Sequence, residues 1–212
     1  MAITRKTPSR KITVGSQYIC MNTMDANNDW TSTFSSDVTK LPTVVNVEVT
    51  DNADSYESYA SGAIYDADTP IMSQDIAEEN IAFPATLLAT MRGEEVDADG
   101  VTLGGGFGVR PYFAYGVEIK RKDGSYEYRW YPKCKLINNN DSTETSEGSH
   151  KDQNEKVTIR AYGFNDGGNT FVRALTSETG MSAMTAAAFF AAPLTSIAAV
   201  KAALPSSSST PA

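Results

Sequence analysis

Few residues of this 212-residue chain have the types and spacing that catalysis requires. Its single histidine, His150, lies in a polar stretch, so neither a Ser-His-Asp triad nor a site with several histidines can be assembled. The acidic pairs at 94–95 and 97–99 lack the ligand spacing of a calcium loop, and GGGFG at 104–108 lacks the Lys-Ser/Thr of a phosphate-binding loop. The sequence therefore predicts a protein that is not an enzyme and has no catalytic, metal or cofactor site.

Cysteine usage and hydropathy indicate the class of protein. Cys20 and Cys134 are too few and too far apart in sequence for a disulfide framework, which favours folding in a reducing compartment. The stretch 181–204 has the length of a membrane span, but it is mostly Ala, Ser and Thr with Pro193 in the middle. We therefore predict no membrane partner, one domain over 1–180, and an Ala/Ser-rich extension over 181–212.

Charge is divided unevenly along the chain, whose net charge is −8. Residues 41–108 carry 13 acidic side chains against one basic, a local net charge of −12, whereas 109–136 carry seven basic against three acidic, or +4. Because unlike patches on identical subunits attract, this division is compatible with self-association. Charge alone favours the alternative explanation, a solvated acidic surface that keeps the protein soluble.

A two-stranded ribbon is the clearest structural pattern, GVEIKRKDGSYEYRWYPKCKL at 116–136. Asp123-Gly124 predicts a two-residue turn, which pairs Lys120 with Glu127 across the strands. We interpret the resulting aromatic face as core, since a sequence pI near 4.7 opposes the alternative, a nucleic-acid stacking platform. The face predicted by this register comprises Phe113, Tyr115, Val117, Ile119, Tyr128 and Trp130.

Other segments complete a mainly β pattern. Strands are predicted at 12–20, 43–50, 55–65, 70–83, 155–163 and 169–176. Segment 83–93 predicts a helix, with Pro84 in its first turn and Gly93 at its C-terminal cap. The polar, aperiodic stretches 22–40 and 138–154 predict long loops. The sum is an antiparallel β-sandwich or barrel with one short α-helix packed on it.

Four segments, taken in order, resemble the major tail proteins of long-tailed phages (siphophages), the subunits of the tail tube. They are YESYASGAIYDAD, IAFPATLLATMRGEEVDADGV, RPYFAYGVEIKRKDGSYEYRWYPKCKL and EKVTIRAYG. The similarity covers about residues 41–176 and rests mostly on the third segment, with its Pro-Tyr-Phe-Ala-x-Gly opening and Asp-Gly hairpin. The stretches 22–40 and 181–212 have no counterpart in this pattern.

This resemblance implies a structural virion protein, a β-sandwich subunit of the tail tube type that forms hexameric rings. The rings would stack into a hollow tube around a tape measure protein and contact the tail tip and terminator proteins. DNA would pass through the lumen during ejection without specific binding. Assembly would take place in the host cytoplasm, and the final location would be the phage tail.

Candidate functional residues follow from that role. A tube for DNA is expected to be acidic inside, because like charges prevent the phosphates from adhering. The lumen candidates lie on or beside the strands predicted in the acidic segment: Glu48, Asp51, Asp54, Glu57, Asp75 and Glu78. Contacts between subunits are predicted at the ribbon tip and in the two loops, from Lys120, Arg121, Lys122, Trp30, Phe34, Asn139, Glu144 and Glu147.

Two other functions remain open. One is the inner tube of a contractile tail or an injection machine, which binding of a sheath protein would distinguish. The other is a host-surface or carbohydrate-binding sandwich that uses exposed Trp30, Tyr56 and Tyr59.

Overall fold

Antiparallel strands dominate the computed structural model, which describes residues 7–106, 108–140, 143, 145 and 153–205. The strands are β1 (Lys11–Asn22), β2 (Phe34–Leu41), β3 (Val44–Ala53), β4 (Tyr56–Ala60), β5 (Ala63–Asp68), β6 (Ile71–Asn80), β7 (Glu95–Val96), β8 (Thr102–Leu103), β9 (Phe113–Arg121), β10 (Tyr126–Asn140), β11 (Glu155–Tyr162) and β12 (Val172–Leu175). The helices are α1 (Ala85–Arg92), α2 (Ala186–Phe189) and α3 (Ile197–Ala202), with a 3-10 turn at Thr179–Met181. The predicted fold class, mainly antiparallel β with a short helix, is confirmed.

One sheet of eight strands contains the core. Its order is β2-β1-β9-β10-β11-β6-β3, with β12 paired to β10, and each of its pairs is antiparallel. The sheet curls, so that β1 and β3 contact each other although four strands lie between them in this order. The curl encloses an apolar cluster around Ile19, Ile76, Phe113, Tyr131 and Ile159.

Helix α1 packs on this enclosed cluster through Leu88 and Met91, as its apolar stripe predicts. Pro84 is extended just before the helix, and Gly93 ends it in the left-handed conformation at φ 74°. A Cβ at Gly93 would lie 2.4 Å from the Val109 carbonyl oxygen, so glycine is required there by both conformation and space. The predicted helix and its C-terminal cap at Gly93 are confirmed, whereas the helix begins at Ala85 and Pro84 lies just before it instead of in its first turn.

The turn of the β9–β10 hairpin differs from the prediction. Arg121 donates its backbone N–H to Ser125 O at 2.9 Å, so the loop has three residues, 122–124. Gly124 alone is left-handed, at φ 84°. This is the geometry of a type I turn that ends in a glycine bulge, and the two-residue turn expected from Asp-Gly is wrong. The register is therefore shifted by one residue: Lys120 lies opposite Tyr126, and Glu127 lies opposite Ile119.

A shift of one residue moves the side chains of one strand to the other face. The six residues predicted to share one face therefore separate. Phe113, Tyr115 and Val117 lie in the enclosed cluster beside α1, and Ile119 packs against it. Tyr128 and Trp130 lie on the opposite face of the sheet, in a second apolar cluster. The hairpin is thus buried on both faces, which the one-sided prediction did not anticipate.

The C-terminal segment covers that second face. Phe190 stacks on Tyr18, with ring centroids 3.8 Å apart, and Trp130 donates its indole N–H to Phe189 O at 2.9 Å. Met184 and Val200 complete this cluster. The division of the chain at residue 180 stays a prediction, but residues 184–204 contribute directly to the core. In the part of the chain that the structure describes, no helix has the length and apolarity needed to cross a membrane.

The two predicted loops are shorter than expected. The second half of 22–40 forms the edge strand β2, and the Asn22 amide donates to Thr31 O at 2.7 Å and Thr33 O at 2.8 Å to hold the remaining loop. A Ser- and Thr-rich segment suits an edge strand with one solvated face. Strand β10 continues to Asn140, and most of the 138–154 loop lies outside the described residues.

Candidate assembly surfaces

A projecting hairpin, the arm (residues 54–70), is the most exposed element of the described structure. It consists of β4 and β5, which pair only with each other among the described strands. Ser61 at φ 53° and Gly62 at φ 77° form the two-residue left-handed turn that joins them. The prediction of one strand at 55–65 missed this turn, because Ser-Gly is a weaker turn pattern than Asn-Gly or Asp-Gly.

The arm exposes large apolar side chains to solvent, which does not stabilise an isolated subunit. Tyr56, Tyr59, Ile64 and Tyr65 are 62%, 67%, 57% and 81% exposed. An isolated two-stranded hairpin is marginally stable in water, and exposed aromatic patches of this kind mark interaction sites. The arm contains four acidic residues and no basic residue. It therefore combines aromatic anchors with negative charge.

The outer face of β3, β6 and β11 is polar and ordered by pairs across the strands. Asp75 accepts from Arg160 at 2.6 and 2.8 Å. This guanidinium contact lowers the pKa of Asp75 despite partial burial. Glu79 lies opposite Lys156, and Glu48 lies opposite Ala77 on the same face. Three carboxylates and two basic side chains therefore share the outer face, which is only slightly acidic: Glu48, Asp75 and Glu79 with Lys156 and Arg160.

Glu78 does not belong to any lumen surface, and its prediction as a lumen residue is wrong. Its side chain points into the enclosed core and the residue is 3% exposed. Neither carboxyl oxygen has a hydrogen-bond partner among the described residues. Burial raises the pKa of Glu78 to about 8, and the neighbouring Tyr115 hydroxyl and Asn80 amide reduce that effect only in part. From Gln74 onward, the alternation of β6 places even-numbered residues inside, polar ones included.

The other five lumen candidates lie on three different surfaces. Glu48 and Asp75 lie on the outer sheet face. Asp51 accepts from the Gln74 side-chain amide at 2.5 Å, on the opposite side of β3. Asp54 and Glu57 belong to the arm, where Glu57 accepts from the Tyr59 hydroxyl at 2.6 Å. The structure therefore does not bring the predicted set together, and the lining role of these five residues stays a prediction.

The predicted contact residues of the ribbon tip and of the first loop also lie apart from one another. Lys120 and Lys122 are exposed beside the turn, whereas Arg121 pairs with the buried Glu127. Trp30 donates its indole N–H to Pro132 O at 3.3 Å, and its ring contacts Phe34 edge to face. Their roles between subunits stay predictions.

Asn139 and the two acidic residues of the polar loop complete the predicted contact set. The Asn139 side chain lies between the Lys156 carbonyl and the Arg92 guanidinium, and is therefore held within the subunit. Glu144 and Glu147 lie outside the described residues. The predicted contacts of Asn139, Glu144 and Glu147 with a second subunit stay predictions.

A cluster of positive charge around Glu127 was missed by the sequence analysis. Arg121 and Arg129 both pair with this fully buried carboxylate, and Arg173 of β12 lies 3.9 Å from it. Burial opposes ionisation of Glu127, but its arginine partners prevail and lower its pKa. Lys11 lies in the same cluster, and burial together with repulsion from Arg129 lowers its pKa. The cluster joins β1, β9, β10 and β12, so it depends on strand pairings distant in sequence as well as on the hairpin register.

Side chains with nucleophilic or metal-binding potential are few and scattered. Cys20 and Cys134 are buried free thiols, and burial raises the pKa of both, that of Cys20 to about 11. Within the described ranges, no three His, Cys, Asp or Glu side chains lie close enough together to hold a metal ion.

Comparisons with known proteins add little to this description. No protein-family profile matches the chain, and no curated protein sequence matches it. Among solved structures, the chain is similar to one in the cryo-EM structure of the anti-feeding prophage (AFP) baseplate, 6-fold symmetrised. The sequences are 7% identical, the TM-score is 0.40, and the match covers 80% of this chain and 97% of that chain. A similarity at this level carries no argument about function.

Proposed function

We propose that this chain is a phage tail tube subunit that assembles with copies of itself into stacked hexameric rings. The observation that carries the proposal is the arm, with its exposed aromatic residues and uniform negative charge. Exposed apolar surface of this kind is stabilised when it is buried against another subunit. In the described part of the chain, β2 and β3 each have an unpaired edge at the ends of the sheet, which offers further backbone groups for pairing.

The outer face of β3, β6 and β11 is proposed as the surface that lines the lumen. It has no exposed aromatic patch, and Arg160 already neutralises Asp75, so it offers DNA neither a stacking platform nor a strong positive charge. With Glu48 and Glu79 facing the same way, the lining would be weakly repulsive to phosphate. The tape measure protein would occupy this lumen before ejection, and the tail tip and terminator proteins would bind the ends of the tube.

The proposal is tested by electron microscopy and light scattering of the purified protein over a concentration series. Hollow tubes or six-fold rings are expected. A Tyr65→Ser variant should raise the concentration needed for assembly at least ten-fold, because it removes an anchor that is 81% exposed in the subunit. Val101→Ser, a matched control at a position 66% exposed outside the arm, should leave assembly unchanged. A monomer at every concentration, with no difference between the variants, would overturn the proposal.

A second function is favoured by the same exposed tyrosines. Tyrosine side chains on a projecting hairpin also suit recognition of a sugar, since aromatic rings stack on the apolar faces of sugars. Under that function the wild-type protein stays monomeric and binds a glycan, and Tyr65→Ser abolishes glycan binding instead of assembly. A glycan-binding assay on the same two variants therefore separates the two functions.

A further inference from the structure

A groove of about 640 Å³ lies beside the strand that carries Arg173. It is bounded by β12 on one side and by α3 on the other. Within the described residues β12 pairs only with β10, so the edge of β12 away from β10 is unpaired. The apolar lining comes from three parts of the chain that are distant in sequence: Phe164, Phe171, Val172, Met181, Ile197 and Val200. Ile197 is 75% exposed there, which leaves apolar surface uncovered in the lone subunit.

Positive charge borders the groove. Arg173 and Lys201 line it directly. Arg129 and Arg173 both lie against the ring of Phe171, at 5.8 and 5.9 Å from its centroid, so the basic cluster around Glu127 is continuous with the groove. Among the described residues, Glu127 is the single acidic partner of three arginines in this cluster, and an excess of positive charge remains there. The groove is therefore suited to a partner that is both aromatic and acidic.

The arm has that chemistry, and no arm residue lines the groove of its own subunit. Tyr56 lies opposite Asp68 and Ser58 lies opposite Asp66, so one face of the arm presents a tyrosine opposite one carboxylate and diagonal to a second. We propose that the groove between β12 and α3 receives the arm of a second copy of this chain. This inference rests on the proposed self-assembly and specifies which surface accepts the arm.

Such a contact joins two different surfaces of identical subunits. A contact of this head-to-tail type repeats from copy to copy and produces a closed ring or a helical array, whereas a contact between two identical patches would stop at a dimer. The apolar lining would bury the tyrosine, and the arginines would pair with the carboxylates at the rim of the groove. The groove and the arm together therefore provide a directional contact, as stacking or closure of rings requires.

Complementary charge reversal tests the contact. The arm variant carries Asp66→Lys and Asp68→Lys, and the groove variant carries Arg173→Glu and Lys201→Glu. Each variant alone should need at least a ten-fold higher concentration than the wild type to assemble, because both of its contacts place like charges together. An equimolar mixture should recover assembly, since each arm then meets a groove of opposite charge in the other variant. Glu95→Lys, an exposed charge reversal away from the arm, the groove and the proposed lumen face, should assemble as the wild type does.

Arg173→Glu places a carboxylate beside the buried Glu127 and could reduce assembly by destabilising the subunit. A second groove variant therefore separates loss of the contact from loss of folding. Ile197→Asp changes the first residue of α3, next to its N-cap Ser196, where an acidic side chain is compatible with the helix. It should keep the thermal transition of the wild type and still assemble at least ten-fold less readily. Normal assembly of Ile197→Asp, or no recovery in a mixture of folded charge variants, would overturn the groove as the acceptor. Failure of the wild type itself to assemble would overturn the proposed function as well.

Discussion

Replacing Glu78 by Gln tests whether an ionisable group in the core opposes folding at neutral pH. The carboxyl lies among Tyr115, Asn80 and Cys134, and burial raises its pKa from an ordinary value of 4.5 to about 8. Because the pKa is higher in the folded than in the unfolded state, folding favours the protonated acid. The stability from this group is complete below pH 4.5 and is lost progressively as the pH rises to about 8.

The magnitude follows from linkage at about 1.4 kcal/mol per pKa unit. Relative to acid pH, ionisation of Glu78 should cost the wild type about 3 kcal/mol at pH 7 and about 5 kcal/mol at pH 9. Gln has nearly the same shape and does not ionise. Glu78→Gln should therefore match the wild type within about 1 kcal/mol at pH 4, and exceed its stability by about 3 kcal/mol at pH 7.

Urea unfolding monitored by tryptophan fluorescence measures this difference, at protein concentrations too low for assembly. Glu48→Gln is the matched control, since Glu48 is exposed on the outer sheet face and its replacement should change stability by less than about 0.5 kcal/mol at every pH. A stability difference between Glu78→Gln and the wild type that is the same at pH 4 and pH 9 would refute the reasoning. It would mean that Glu78 ionises with the same pKa in the folded and unfolded states.

Three further changes test the fold by the same unfolding assay. Gly93→Ala should lower the free energy of unfolding by about 2 kcal/mol or more, because it adds a Cβ at a left-handed position in contact with backbone. Gly106→Ala is the control: it has open space around it and should lower the free energy of unfolding by less than about 1 kcal/mol. Phe190→Ala should cost about 3 to 5 kcal/mol if the C-terminal segment is part of the core, and a cost as small as that of the exposed Ile197→Ala would contradict this. Glu127→Gln should lower the free energy of unfolding by about 3 kcal/mol at pH 7, because it leaves Arg121 and Arg129 without their carboxylate partner. The difference from the wild type should shrink at acid pH, where Glu127 of the wild type becomes protonated. A difference that is constant with pH would argue against ion pairing.

Local determinants made some of these elements predictable. The helix α1 depends on Pro84, Gly93 and a four-residue apolar spacing, all of which lie within the segment itself. The strands with valine or isoleucine at alternate positions were found for the same reason. Where a residue's role is set by its neighbours in sequence, a reading of the sequence suffices.

The hairpin register and the second core depended on distant contacts. Asp-Gly fits a two-residue turn and also the end of a three-residue turn, and the choice between them is made by packing on both faces of the sheet. One-sided alternation cannot describe a hairpin in which Tyr115 and Trp130 point to different cores. Phe189 and Phe190 stand in an Ala-rich segment with no period, so nothing local indicated that they would cover Trp130.

Covering both faces of the β9–β10 hairpin limits where a second subunit can bind. The α1 side is filled by the enclosed cluster and the other side by the C-terminal segment, so neither face of this hairpin is free. In the described part of the chain, the remaining surfaces are the sheet edges, the outer face of β3, β6 and β11, the arm and the groove. Of these, only the arm and the groove combine exposed apolar area with opposite charge.

The C-terminal segment forms one wall of the groove through α3, so the same segment that completes the core also builds the acceptor. Loss of the core packing of Phe190 should therefore weaken assembly as well as folding, whereas Ile197→Asp should weaken assembly alone.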